Sequence, residues 1–428
     1  MAMTRCGSHR GKSMIRGLDE AAFREKLKGL LTPAQPISKP EHLHGRDQKL
    51  TLISRALHSP GKHIFIFGDR GVGKTSLGRT AAAIHSGDEE GFAFIACDQG
   101  TTFFDMVEDI YRQLHRLYSL GKLKVEGVEL NAGFVKVKTS EALGLPALKT
   151  INDAVEMLKS ISPKAGVTPI VVIDEFDQLS SDTEKKYVAD LIKQLSDQRI
   201  NLRLIICGIG TSLDELIGVH LSTDRYLATI PLEPLPHDAR WQILTTASDA
   251  LGVSIDRDSQ IRIGQLSDGF PYYVHLMGEQ IFYQVLDDSE VIAAVTMDHY
   301  QNGIRASIEE SQTSLKQAYE MATQKHKNSE DYEEVLWAVA DGPLLKRQVT
   351  DIYEKSYLPI MEQRSNRNAL TKDLFYQRLN RLKKDTHGSI VIGNRQGWYG
   401  FRENVVRGYV RLRAERAGIE IGVDHIRA

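Results

Sequence analysis

The run Ile64-Phe65-Ile66-Phe67 passes without a break into Gly68-Asp69-Arg70-Gly71-Val72-Gly73-Lys74-Thr75. A short, β-prone, wholly apolar run needs cover on both faces, which is the situation of a central parallel strand. Glycines follow where the chain must turn tightly and let its backbone come close to something, and the residues after Gly73 read as a helix. Strand, glycine loop and helix in that order point to an α/β fold, and the eight loop residues fit G-x-x-x-x-G-K-[ST] in full. Such a loop turns its amides inward, and the helix adds unpaired N–H groups and the positive end of its dipole. The ligand expected there is a nucleoside triphosphate. Gly68, Asp69, Arg70, Gly71, Val72, Gly73, Lys74, Thr75 and Ser76 are expected to contact it. Lys74 would lie between the β- and γ-phosphates, and Thr75 would offer its hydroxyl to Mg²⁺.

About a hundred residues later comes Ile170-Val171-Val172-Ile173-Asp174-Glu175, a buried strand ending in two carboxylates. Asp174 is expected to hold the metal opposite Thr75. Glu175 is expected to polarise the attacking water, because a carboxylate near the γ-phosphate can orient or deprotonate a nucleophile.

At 428 residues the chain exceeds one ordinary core, so two or three domains are expected. No apolar run approaches a membrane span, and the start lacks a signal-peptide core. Cys6, Cys97 and Cys207 lie far apart, which argues against a disulfide framework or zinc site and for a reducing, cytoplasmic setting. The net charge of -2 conceals an asymmetry: residues 362–416 carry thirteen Lys or Arg against five Asp or Glu. That local +8 either meets a polyanion or forms a solvated helical face.

The predicted organisation is an N-terminal extension and linker (1–40), an α/β core (41–236), a helical lid (237–326) and a C-terminal domain (327–428). Residues 18–31 suggest a short helix, and Pro33, Pro36 and Pro40 then favour extended chain. Further strands are expected at 93–96, 170–173, 202–206 and 228–230, separated by helices, giving a parallel sheet covered on both faces. Residues 121–146 read as an insertion or long loop. Beyond Pro236 the pattern turns helical, at 238–250, 259–266 and 272–285. The last domain shows helices and then β-prone runs at 389–392 and 397–401 around Gly393-Asn394, the outline of a winged helix-turn-helix.

Together these motifs resemble the AAA+ ATPases, and most of all the clade that holds origin-recognition and replication-initiator ATPases, archaeal-type ATPases and STAND signalling ATPases. The resemblance runs from about His44 to Phe401 and implies an AAA+ P-loop core, a lid and a winged helix, with ATP as the nucleotide. It implies further residues. His44-Gly45-Arg46-Asp47 looks like the family motif that touches base and ribose, with Arg46 as the contact. Leu204 to Ser212 is similar to the sensor-1 strand and tip, where Thr211 or Ser212 would bond the γ-phosphate or water, unless the tip is a turn with an N-cap at Ser212. Arg225 stands in the segment that carries the trans-acting arginine finger, or is a surface arginine. Asp268-Gly269-Phe270-Pro271-Tyr272-Tyr273 resembles the start of the sensor-2 helix, with Tyr272 where many relatives place arginine. That departure puts fast turnover in doubt.

Residues 371–384 form an amphipathic pattern, with Leu374, Phe375, Leu379 and Leu382 inward and Lys372, Arg378, Arg381, Lys383 and Lys384 outward. With Arg395 in the following turn it resembles a recognition helix and wing. The nucleic-acid contacts expected are Lys372, Arg378, Arg381, Lys384 and Arg395. The function expected is an ATP-hydrolysing switch that assembles as a homo-oligomer in its ATP state on double-stranded DNA. The alternative is a STAND-like signalling or anti-mobile-element ATPase whose winged helix docks a protein.

Overall fold

The computed structural model describes residues 20–37, 39–120, 148–161, 168–179, 181–213, 223–288, 292–323 and 328–423. The expected insertion at 121–146 lies outside them. Among the described residues no helix is long and apolar enough to cross a membrane. The chain divides into two compact units. One holds Ile37–Gly68 and Lys74–Leu232, and the other holds the residues up to Pro36, the loop tip Asp69–Gly73, and everything from Glu233 on.

In chain order the elements before Leu232 are α1 (Glu20–Leu30), α2 (Asp47–His58), β1 (His63–Phe67), α3 (Lys74–Ser86), β2 (Ala93–Ala96), α4 (Phe103–Leu120), α5 (Ile151–Lys159), β3 (Ile170–Asp174), α6 (Asp182–Asp197), β4 (Arg203–Gly208) and β5 (Leu227–Pro231). The five strands form one sheet in the order β2-β3-β4-β1-β5, and every neighbouring pair is parallel. Period-two alternation divides their side chains between two layers. Phe65, Val171, Ile173, Leu204 and Ile206 join one buried cluster with residues of α4, α5 and α6. Ile64, Ile66, Val172, Ile205 and Cys207, equally buried, point the other way. Helix α3 packs there through Gly78, where a β-carbon would stand 3.0 Å from Cys207 Sγ and 3.6 Å from both Ile205 and Val172. A side chain there would press on Cys207, so glycine suits the close approach of this helix to the sheet.

The second unit adds α7 (His237–Leu251), α8 (Arg257–Leu266), α9 (Pro271–Leu286), α10 (Met297–Glu310), α11 (Thr313–Thr323), α12 (Ser329–Ala340), β6 (Lys346–Gln348), α13 (Lys372–Arg381), β7 (Val391–Gly393), β8 (Trp398–Phe401) and α14 (Val406–Arg416). Helix α1 belongs with it. Phe23, Leu27 and Leu31 are buried, the Lys26 ammonium donates to the Ala250 carbonyl, and His275 Nδ1 accepts the Thr32 N–H at 3.2 Å. In the first unit, Ser76 Oγ accepts the Ile37 N–H at 3.1 Å, and Thr80 Oγ1 donates to the Ile37 carbonyl. Near the C-terminus β6, β8 and β7 make a three-stranded antiparallel sheet beside α12 and α13, the winged-helix arrangement. Strand β6, three polar residues long, had no signature in the sequence.

Candidate functional site

Strand β1 lies between β4 and β5, with β4 separating it from β3. Parallel strands all end on one side, so the loop after β1 and the carboxylates after β3 share the carboxyl edge of the sheet. There Thr75 Oγ1 donates to Asp174 Oδ2 at 2.6 Å, and Asp174 is only 6% exposed. The loop reaches α3 through Gly71 at φ +84° and Gly73 at φ +96°, values that a residue with a β-carbon adopts only under strain. Lys74 Nζ donates to the Gly68 carbonyl at 3.0 Å, which holds the ammonium over the loop's own backbone. The Ser76 hydroxyl accepts the Ile37 N–H at 3.1 Å.

Glu175 is exposed and sits at φ +52°, a left-handed conformation that costs a non-glycine residue about 1–2 kcal/mol. The turn behind it maintains the strain. The Glu175 carbonyl accepts the Gln178 N–H at 2.8 Å, and Phe176 is fully buried, its ring edge-on to Phe65 at 5.8 Å. The two adjacent carboxylates are thereby split, one turned inward onto Thr75 and one outward to solvent. Below them, burial and the nearby Asp174 carboxylate raise the Cys207 thiol well above its ordinary range. Burial and then Asp174 push Cys97 up to about 12. Both stay neutral thiols at physiological pH, without the thiolate that nucleophilic or redox work needs.

Arg46 is buried, 5% exposed, at the foot of α2. Past β4, Thr211 is exposed and Ser212 is buried. Arg225 stands on the four-residue turn Thr223–Tyr226, exposed, with its guanidinium 5.8 Å from the centre of the Tyr226 ring. Tyr272 is used structurally. Its hydroxyl accepts the Gln312 N–H at 3.0 Å and so ties the start of α9 to the residue just before α11.

The C-terminal surface differs from expectation at two positions. Arg378 does not stand outward. Its Nε lies 3.0 Å from Asp331 Oδ2, its guanidinium covers the Tyr332 ring, and its side chain is 11% exposed. Leu374, expected inward, is 39% exposed. Thr371, one residue before α13, caps the helix by accepting the Leu374 N–H, and Phe375, Leu379 and Leu382 are buried as expected. Much of the basic excess is neutralised internally. Arg364 and Arg367 pair with Glu330, Asp331 and Glu334, Arg413 with Glu333, and Arg407 and Arg411 with Asp268. Lys372 reaches Glu354 at 3.2 Å, an exposed pair. Arg381, Lys384 and Arg395 stay exposed. The first two border an open groove of about 540 Å³ along with Asp373, Tyr376, Gln377 and Asn380.

Residues 57–217 match the family described as AAA domain, a stretch that contains the glycine loop and both carboxylates. The chain carries an AAA domain. That domain has the glycine loop of a P-loop ATPase and the parallel sheet of the AAA+ fold. Among solved structures, a Walker-type ATPase of Pyrococcus abyssi is similar at a TM-score of 0.52 and 16% identity, over 88% of this chain and 99% of that one. Cdc6p from Pyrobaculum aerophilum is similar at a TM-score of 0.43 and 15% identity, over 92% and 99% of the two chains. The Aeropyrum pernix ORC1 protein, solved in complex with DNA, is similar at a TM-score of 0.43 and 15% identity, over 88% and 94%. In this AAA domain the described residues hold no group of three or more His, Cys, Asp or Glu fit to cage a metal. Mg²⁺ that travels with a nucleotide needs only one or two carboxylates besides phosphate and water oxygens, and hard oxygens from Thr75 and Asp174 fit that demand.

Proposed function

We propose that this chain is an ATP-driven switch whose hydrolysis site is Gly68–Thr75 with Asp174 and Glu175, and whose winged helix meets double-stranded DNA. The observation that carries the first half is the 2.6 Å hydrogen bond between Thr75 and Asp174. It pairs the hydroxyl after the loop lysine with the carboxylate that such a site uses for its metal. The amides of the loop take the phosphates, and Lys74 leaves the Gly68 carbonyl to neutralise them. Thr75 and Asp174 would hold Mg²⁺, which when bound supplies charge neutralisation on the phosphates. Glu175, free of the inward pairing that occupies Asp174, orients or deprotonates the attacking water. Arg46 contacts base or ribose, and Thr211 contacts the γ-phosphate or the water. Arg225 acts on the site of a neighbouring copy, so the ATP state favours a homo-oligomer. Purified chain with Mg²⁺ and ATP should release phosphate and elute larger than with ADP. Loss of turnover in Glu175→Gln with ATP still bound supports this assignment, and equal turnover contradicts it.

The DNA half rests on Arg381, Lys384 and Arg395, exposed on the recognition helix and wing, with Lys372 at the start of the helix. Arg378 drops out of that set because its charge is committed to Asp331. A second reading, a protein partner, is favoured by Leu374, Tyr376 and Trp398, which are 39%, 37% and 41% exposed on the same small domain. DNA binding that weakens with salt and with loss of Arg381 and Lys384 separates the two.

A further inference from the structure

We propose that Asn404 is a positioning residue for the phosphate loop, holding the Asp69 carboxylate aside so that the loop can receive a triphosphate. This rests on the phosphate role proposed for Gly68–Thr75. Asn404 Nδ2 donates to Asp69 Oδ2 at 2.9 Å, linking residues 335 positions apart. Its neighbours meet the same loop. Glu403 lies 3.7 Å from Arg70, and Val405 Cγ2 would be 3.1 Å from a β-carbon placed on Gly71. Three consecutive residues ahead of α14 thus face three consecutive residues of the loop tip. Compactness alone groups Asp69–Gly73 with the residues after Glu233.

The segment that carries Asn404 is itself rigidly seated. Tyr273 donates its buried hydroxyl to the Val405 carbonyl at 2.7 Å. A β-carbon on Gly408 would fall 2.3 Å from the Tyr273 ring, so only glycine lets α14 come this close. One helical turn apart, Arg407 and Arg411 both reach the Asp268 carboxylate at 3.0 Å, in the turn just before α9. Placement this firm is what a side chain needs in order to define the position of another.

Charge supplies the reason for holding Asp69. A carboxylate in a loop whose amides collect phosphates repels the ligand, and the repulsion grows from diphosphate to triphosphate. The neutral Asn404 amide gives Asp69 a donor without adding charge of its own. The Arg70–Glu403 pair cannot substitute, because both side chains are more than half exposed and screened by solvent. Asn404 Oδ1 is buried and finds no hydrogen-bond partner among the described residues. Burial of an acceptor in that way costs stability, so the residue is better suited to fixing a position than to saturating a network.

The test titrates a fluorescent ATP analogue and the matching ADP analogue, with Mg²⁺, into the full chain and its variants. Asn404→Asp sets two carboxylates together and should raise the Kd for the triphosphate roughly tenfold and that for the diphosphate clearly less. KM for hydrolysis should rise by a similar factor while kcat stays within about threefold. In an Asp69→Asn background the same change should cost less than about threefold, because the new amide donates to the new carboxylate. Asn404→Ser, a milder change, should weaken triphosphate binding by at least about threefold, and thermal melting checks that each variant is folded. Triphosphate affinities within about twofold of wild type in folded Asn404→Asp or Asn404→Ser overturn the proposal, as does an equal cost in both backgrounds. Wild-type binding that Lys74→Ala abolishes but Asn404 variants leave untouched sinks this proposal alone. A wild-type chain that never retains ATP removes the loop assignment as well.

Discussion

Thr75 and Asp174, ninety-nine residues apart in sequence, are joined by a 2.6 Å hydrogen bond at the carboxyl edge of the sheet. Two observations about neighbouring positions give this contact its meaning. Lys74 curls back onto Gly68, and Glu175 is held in a left-handed turn facing outward. Under the proposed function, helix start, strand end and strained turn would divide the labour of binding and hydrolysis among Lys74, Thr75, Asp174 and Glu175.

That division has a kinetic signature at Glu175. Glu175→Gln keeps the size and most of the hydrogen bonding but loses basicity, so kcat should fall by about 10²–10⁴. The affinity for ATP should change little, because Asp174, and not Glu175, pairs with Thr75. Single-turnover phosphate release beside equilibrium ATP binding measures both. A parallel loss of affinity and rate would assign Glu175 to the metal rather than to the water.

Arg225 is exposed on a short turn with no acidic partner among the described ion pairs, as a residue serving a neighbouring copy would be. Arg225→Ala should lower turnover by roughly 10³-fold or more while ATP binding persists. Mixing Arg225→Ala with Lys74→Ala chains should then restore turnover above the sum of the two alone, since hybrid interfaces contain one intact site. Additive rates would rule out action in trans.

Much of the sheet could be read from the chain because its signals are local. Five strands lie within about two residues of the expected runs, and the glycine loop falls between β1 and α3 where the motif demands it. Long-range ionic choices left no such mark. The direction of Arg378 depends on Asp331, forty-seven residues earlier. Helical spacing alone makes Arg378 look like the other cations of α13. Asn404 carried no signal either, because its partner Asp69 lies at the other end of the chain. The polar three-residue edge strand β6 was too short for any alternation to register.

The buried pair formed by Arg378 predicts a stability effect in place of a DNA effect. Arg378→Ala leaves Asp331 short of one of its two arginines in a site where both side chains of the pair are about a tenth exposed. The loss should be about 2–4 kcal/mol in urea unfolding. Arg381→Glu with Lys384→Glu should leave stability nearly intact, abolish most duplex binding and lower its salt slope by about two. An unchanged isotherm in that double variant would favour the protein-partner reading.

His63 predicts the response to acid. At the start of β1 its Nδ1 accepts the Leu204 N–H at 3.1 Å, and burial, reinforced by Arg203, holds its pKa down to about 3. The folded value lies below the unfolded one of 6.5, so the unfolded chain takes up a proton that the folded chain refuses. Stability from this group is complete above pH 6.5 and declines as pH falls toward 3. The loss should reach about 2 kcal/mol at pH 5. Urea unfolding at pH 7 and pH 5 should show that slope in the wild type and not in His63→Asn, whose side-chain oxygen can still accept from Leu204. The same slope in both would place the acid sensitivity elsewhere.

The most direct test is equilibrium dialysis of radiolabelled ATP with Mg²⁺ against wild type and Lys74→Ala. Retention by the wild type and its loss when the ammonium is removed is the expected result. Equal retention by the two, or none by the wild type, would contradict the assignment of this loop to phosphate.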